Sequence, residues 1–223
     1  MITMQHSHWS DGRPAFPLSK AVCIGRNYAE HAKELGNDVP TTPLFFMKPS
    51  TAFVPMDEPI SIPSQHGEVH HEAEIAILIG EPLTHASDNQ VETALVGVGA
   101  ALDLTLREIQ GALKSKGHPW EKAKAFDGSC PISAFQPISA FSDLQNIDLT
   151  LKVNGAIRQQ GNSAQMIFPV LQMIQTMSTF FTLLPGDIVL TGTPAGVSPL
   201  QPGDTFDLII GDRIHVQSCV KTH

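Results

Sequence analysis

Glu72 and Glu74 stand two residues apart in "VHHEAEIAILIG", Val69 to Gly80. In an extended segment residues i and i+2 share a face, with their roots ~7 Å apart. Two ionised carboxylates at that separation repel by roughly 2 kcal/mol at an effective dielectric of 20, and burial adds a desolvation cost. Two readings fit. An exposed glutamate face is the commoner use of such a strand, with His71, Ala73, Ile75, Ile77 and Ile79 turned inward. The glutamate face, however, continues with Ala76 and Leu78, so it also runs into the interior, where a divalent cation would cancel both costs. Asp103, a lone acid after "VGVGAAL", is a third hard ligand or, equally, a helix-capping group. Three carboxylates with no Cys and no clear His partner favour Mg²⁺ or Mn²⁺ over Zn²⁺. His70 shares the glutamate face and is not assigned as a ligand; His71 lies on the opposite face, in the core.

His31 and Glu34 are helix neighbours at i, i+3. A carboxylate beside an imidazole orients it and raises its basicity, as a general base requires. The same spacing with Glu30 and Lys33 also describes an ordinary solvated helix face, the commoner case. Arg107, Gln110 and Lys124 offer a grip for a substrate carboxylate, and surface polarity explains them equally well. "LTGTPAG", Leu190 to Gly196, is a loop whose backbone can approach a ligand closely.

Several short elements must position these groups. "KAVCIG" reads as a buried strand. A helix of about eight residues follows, capped by Asn27 and ended by Gly36; at that length it needs packing or a ligand to stay ordered. "EAEIAILIG" and "LVGVGAALDL" read as strands. Thr105 to Glu108 has the form of a capping box, which starts a helix at Thr105 and ends it near Gly117. Asn154-Gly155 supplies a two-residue hairpin turn, and "SAQMIFPVLQMIQTMSTFFTL" reads as helical. Short strands with turns and a few helices give an α+β class.

The 223 residues suit one domain, and 42% hydrophobic against 16% charged residues excludes extensive disorder. Only 14 Lys and Arg stand against 22 Asp and Glu, with no basic stripe, so no nucleic-acid partner is expected. No apolar run is long enough to span a membrane. Cys23, Cys130 and Cys219 are read as reduced thiols. The N-terminus lacks the apolar core of a signal peptide, so a cytoplasmic location is expected. His6 and His8 are weak metal binders or, more simply, part of a solvated terminus.

Taken together, "GRNYAEHAKELG", "LFFMKPSTA", "HHEAEIAILIG", "ALDLTLREIQ", "PWEKAKAFDGSCP", "LKVNGAIRQQG" and "PGDIVLTGTPAGVSPLQPGD" resemble the fumarylacetoacetate hydrolase family. The resemblance is to its short, single-domain branch of acylpyruvate hydrolases and oxaloacetate decarboxylases. It implies a β-sandwich roll of mixed strands over residues 20–223, preceded by an N-terminal extension, 1–19, packed on or near the domain. It implies a homodimer with one Mg²⁺ or Mn²⁺ per chain. It assigns Glu72, Glu74 and Asp103 as ligands and His31 and Glu34 as a dyad on a lid that orders with substrate. Lys124 joins the catalytic set, and Arg26, Arg107, Gln110 and Thr193 surround the substrate. Gly25-Arg26-Asn27 stands where the two-domain branch carries a fourth acidic ligand. The expected reaction is carbon–carbon cleavage of a small 2,4-dioxo acid (an acylpyruvate) to pyruvate and a carboxylic acid, His31 activating the water. Decarboxylation or enol–keto tautomerisation of oxaloacetate is the alternative on the same site. A non-catalytic keto-acid-binding protein is the alternative of another class.

Overall fold

The structure, a computed structural model, describes residues 9–12 and 16–222; His6 and His8 lie outside them. A mixed eight-stranded sheet occupies the centre. Its strands run in the order Phe45–Pro49, Lys20–Ile24, Ile188–Leu190, Ala73–Ile79, Leu95–Leu102, Cys130–Ile132 and Phe53–Pro55, with Gln136–Pro137 paired beside Leu95–Leu102. A five-stranded sheet follows the order Ala156–Asn162, Asp148–Val153, Thr205–Ile210, Ile214–Thr222 and Ile60–Ile62. Three short strands, Ser198–Pro199, Val69–His71 and Thr105–Leu106, make a third sheet. Among the described residues there are five α-helices: α1 (Ala29–Glu34), α2 (Asp88–Ala94), α3 (Arg107–Ser115), α4 (Glu121–Lys124) and α5 (Val170–Phe180). This is the expected α+β roll of mixed strands with a few short helices. None of these helices is long and apolar enough to cross a membrane.

Ala73–Ile79 is buried at every residue, because the central sheet is covered on both faces. Ile75, Ile77 and Ile79 enter a core shared with Leu149, Leu151, Phe206 and Leu208 of the five-stranded sheet. Ala76 and Leu78 enter a second core with Trp9, Leu18, Phe53 and Phe135. The neighbouring strand approaches this second core closely: a Cβ on Gly99 would meet Phe135 at 2.9 Å. The exposed-face reading of the glutamates therefore fails, since both sides of their strand are dry.

The local reading departs from the structure at four places, each for a physical reason. Glu72 interrupts its strand, leaving Val69–His71 and Ala73–Ile79 as separate elements. Thr105 does not cap a helix. It pairs with His70 in a short strand, and its hydroxyl donates to Asp103 O at 3.0 Å; α3 starts at Arg107 instead. The segment 163–183 is divided by Pro169, which disfavours helix in the residue before it: Ser163–Gln165 forms a 3-10 turn and α5 begins at Val170. Asn27 does not cap α1 either, since Tyr28 holds the cap position.

Asn27 is instead a buried clamp. Its Nδ2 donates to Phe168 O at 3.1 Å and Thr191 O at 2.9 Å, and its Oδ1 accepts from Phe168 N at 2.8 Å. One amide thus ties the entry to α1 to two distant loops. At the other end of α1, Gly36 has φ +63°. Asn37 N–H returns to Ala32 O and Gly36 N–H to Lys33 O, the paired bonds of a glycine-terminated helix. A tertiary clamp at its start and a local glycine cap at its end thus hold a six-residue helix that would not persist alone. Asn27→Ala would orphan three backbone partners, one fully buried and two half-buried, at about 1 kcal/mol each. It is expected to lower the melting temperature by roughly 5–15 °C, as differential scanning calorimetry would show.

Candidate metal centre and active site

Strand register assembles the acidic cluster. Across the antiparallel pair Ala73 faces Leu102 and Glu74 faces Ala101; one step further, Asp103 N–H donates to Glu72 O at 2.8 Å. Glu72, Glu74, Asp103 and Ala101 are therefore the four corners of one face, and the fourth corner carries only a methyl group. One ligand oxygen from each acid lies within 4.8 Å of the others, and all three residues are buried.

Cations surround the three acids. Lys124 Nζ donates to Glu72 Oε2 at 2.8 Å, Asp103 Oδ2 at 2.5 Å and Thr105 Oγ1 at 2.7 Å. Arg107 donates to Glu72 Oε1 at 2.5 Å and to Gln110 Oε1 at 2.7 Å. Lys48, fully buried, sits 2.9 Å from Asp103 Oδ1. It gives its hydrogens to Lys124 O and to the carbonyl and hydroxyl of Ser129. Asp103 Oδ1 consequently accepts no hydrogen bond although it is buried.

The two glutamates titrate in opposite directions. Burial alone would raise Glu72, but Lys124, Arg107 and His31 outweigh it and hold Glu72 far below the usual range. Glu74 goes the other way: burial first, then Asp103 and Glu72, push it well above the ordinary value, against Lys124 and the Gly192 N–H. Burial would lower Lys124, but Asp103 and Glu72 raise it overall. A buried carboxylate oxygen met by a lysine charge but by no aligned hydrogen bond, beside a carboxyl pushed toward neutrality by its neighbours, suits an oxygen-ligand cation site. Glu72, Glu74 and Asp103 thus fit a hard divalent ion.

A cleft of about 160 Å³, open on one side, leads down to Glu72. His31 lies on its wall, with Arg26, Arg107 and Gln110 also lining it. His31 is 3% exposed, so it is not on the solvated helix face that its spacing also allowed. Its Nδ1 is 3.4 Å from Glu34 Oε2, and Glu34 is itself held by the Gly196 N–H at 3.0 Å. Thr193 has a supporting position: its hydroxyl donates to Ala73 O at 2.8 Å and accepts from Gln159 Nε2 at 2.7 Å. His71 is buried between Gln159 and Ser198. His70 pairs with Glu68 at 3.2 Å and stays outside the acidic cluster.

Four supporting residues escaped sequence reasoning. Lys48 is a cation inside the apolar strand Phe45–Pro49, the same signal as a glutamate in "EAEIAILIG", and it was legible in that form. Gln159 accepts from Ala73 N–H at 2.9 Å and donates to Pro194 O at 2.8 Å, but nothing marks it locally in an otherwise exposed strand. Gly192 donates its N–H to Glu74 Oε2 at 2.6 Å. Its φ is +93°, and a Cβ there would meet Asn27 Cβ at 2.7 Å, so only glycine fits. Thr105 shares Lys124 with the acids.

A family model described as the C-terminal part of fumarylacetoacetate (FAA) hydrolase matches residues 20–221. The oxaloacetate tautomerase YcgM of Escherichia coli K12 is 53% identical over 208 residues, 91% of this chain and 95% of that protein. The mitochondrial oxaloacetate decarboxylase of Dictyostelium discoideum is 43% identical over 199 residues, 89% of this chain and 88% of that protein. The crystal structure of fumarylpyruvate hydrolase from Pseudomonas aeruginosa, in complex with Mn²⁺ and pyruvate, superposes with a TM-score of 0.92 at 33% identity and covers 100% of both chains.

The raised Glu74 sets a test. A folded-state proton there stabilises the metal-free protein below the ordinary glutamate pKa, and this contribution is lost as pH rises through the raised value. Glu74→Gln is therefore expected to melt roughly 2–4 °C above the metal-free wild type, with the gap widening as pH rises. It is also expected to lose the thermal stabilisation that added Mg²⁺ or Mn²⁺ gives the wild type. Melting curves from pH 5 to 8, with and without metal, check both.

Proposed function

This chain belongs to the fumarylacetoacetate hydrolase family, and from that premise we propose that it is an oxaloacetate keto–enol tautomerase dependent on Mg²⁺ or Mn²⁺. The observation that carries this reading is His31, backed by Glu34, on the wall of a cleft whose floor is Glu72. Tautomerisation needs one group that takes a proton from one substrate atom and returns it to another, and no attacking water. In the enol-to-keto direction the enol O–H proton leaves and a proton is added at C3; the reverse direction exchanges these. His31 is the proton carrier in this reading. Glu34 orients the imidazole, and the Gly196 N–H fixes Glu34. Glu72, Glu74 and Asp103 would hold the cation, which supplies Lewis-acid polarisation of the 2-oxo group when bound. Arg107 and Lys124 neutralise the acids and present positive charge to the substrate carboxylate, with Gln110 fixing the guanidinium. Thr193 acts through the backbone of Ala73.

Hydrolysis of acylpyruvates, the first expectation from the sequence, has weaker support: the solved hydrolase stands at 33% identity against 53% for the tautomerase. Decarboxylation of oxaloacetate is the second reading, favoured by the Dictyostelium relative. A homodimer, one cation per chain, a single catalytic unit over 20–223 and a cytoplasmic setting belong to the same proposal. The test follows enol-oxaloacetate absorbance. The expected results are acceleration by the metal-loaded protein, its loss in EDTA, and a 10²–10⁴-fold drop in His31→Ala with the metal-induced melting shift retained. Absence of any acceleration by the wild type would overturn the reading, and pyruvate release without tautomerisation would favour the decarboxylase. Binding of oxaloacetate with no turnover of either kind would leave a non-catalytic binding protein.

A further inference from the structure

Every cation at the inner end of the site has an acidic partner: Lys48 with Asp103, Lys124 with Glu72 and Asp103, and Arg107 with Glu72. Two more cations line the same cleft, Arg26 and Lys114, and their situation is different. Among the described residues neither is paired with a carboxylate. Lys114 Nζ donates only to the neutral amide oxygen of Asn37. Arg26 follows the strand Lys20–Ile24 and Lys114 lies in the last turn of α3, so two separate elements bring them to one place. They are close enough to feel each other: partial burial and then the Arg26 charge lower the Lys114 pKa. Two unpaired like charges facing one cleft are unfavourable unless an anion is shared between them. In a chain of net charge -8, acids for pairing are plentiful, which makes a cationic pair without one more telling.

We propose that Arg26 and Lys114 form a second anion-binding end of the cleft, which takes the distal carboxylate of the substrate and selects 2-oxo dicarboxylic acids over 2-oxo monocarboxylic acids. The proposal rests on the reading of the site given above and names its substrate class. The metal-side end would bind the 2-oxo carboxylate head common to both classes. Only a diacid places a second charge toward Arg26 and Lys114, so Lys114 is a specificity-determining residue.

The test measures binding of oxaloacetate and of 2-oxobutanoate, which carries a methyl group in place of the distal carboxylate, to the Mn²⁺-loaded protein by calorimetric titration. The wild type is expected to prefer oxaloacetate. Lys114→Met is expected to weaken oxaloacetate about 5–10-fold, the range for a solvent-accessible charge-assisted contact, and to leave 2-oxobutanoate within about 2-fold. Lys114→Glu should weaken oxaloacetate further, and Asn37→Ala, which removes the lysine's amide partner but not its charge, should keep the diacid preference. Equal affinity of the wild type for both acids would overturn the proposal. So would an unchanged preference in Lys114→Met, or equal loss of both ligands in Lys114→Met and Asn37→Ala, which would make the lysine a prop for the cleft wall. A wild type that fails to tautomerise oxaloacetate yet prefers it through Lys114 would remove the proposed reaction and uphold the second anion end.

Discussion

Three carboxylates sharing a space 4.8 Å across cannot be buried without compensation, and much of the architecture around them supplies it. Mutual repulsion and desolvation would each cost several kcal/mol in a dry interior. Compensation comes from three directions: Lys124 from α4, Arg107 from α3 and Lys48 from the strand on the far side of Lys20–Ile24. Helix α4 is only four residues long, and its placement is intelligible mainly as the mount for Lys124. The apolar strands behind the acids are dry on both faces, so the cluster meets the outside only through the cleft at Glu72. Rigidity of the cluster and intolerance of uncompensated charge are thus one property.

The His31–Glu34 side of the cleft is built on different physics. His31 sits on a helix too short to be stable alone, held by the Asn27 amide at its entry and by a left-handed glycine at its exit. Its orientation comes from a partly exposed carboxylate, Glu34, which is fixed by a backbone N–H. Half of the site is therefore electrostatically locked in the core, while the other half is held near the surface by a few hydrogen bonds.

What the sequence disclosed follows that division. The acid pair was legible because charge in an apolar strand is anomalous, and Asp103 because it ends one; their convergence was not, because it depends on the register that sets Glu74 opposite Ala101. His31 and Glu34 were legible as neighbours, but the burial of His31 depends on Ala32 and Tyr28 packing inward, which spacing does not encode. Thr105 and Asn27 misled in the same way. Both have the composition of a helix cap, and in both the side chain finds partners beyond the helix it would have capped, Lys124 for Thr105 and Thr191 for Asn27. Gln159 carried no local signal, because its importance lies wholly in what it touches. The strand-level pattern predicted the α+β class well, since period and turn residues are local properties.

The loop 191–196 donates one N–H, from Gly192, to Glu74 and another, from Gly196, to Glu34. A single stretch of backbone therefore spans the gap between the acidic cluster and the His31–Glu34 pair, and sets their separation as a gauge block sets the jaws of a vice. Adding or deleting one residue within it would replace neither the acids nor the histidine, yet would put the two groups out of step. The loop's length, more than its side chains, is then the quantity that descent within such a fold has least freedom to alter.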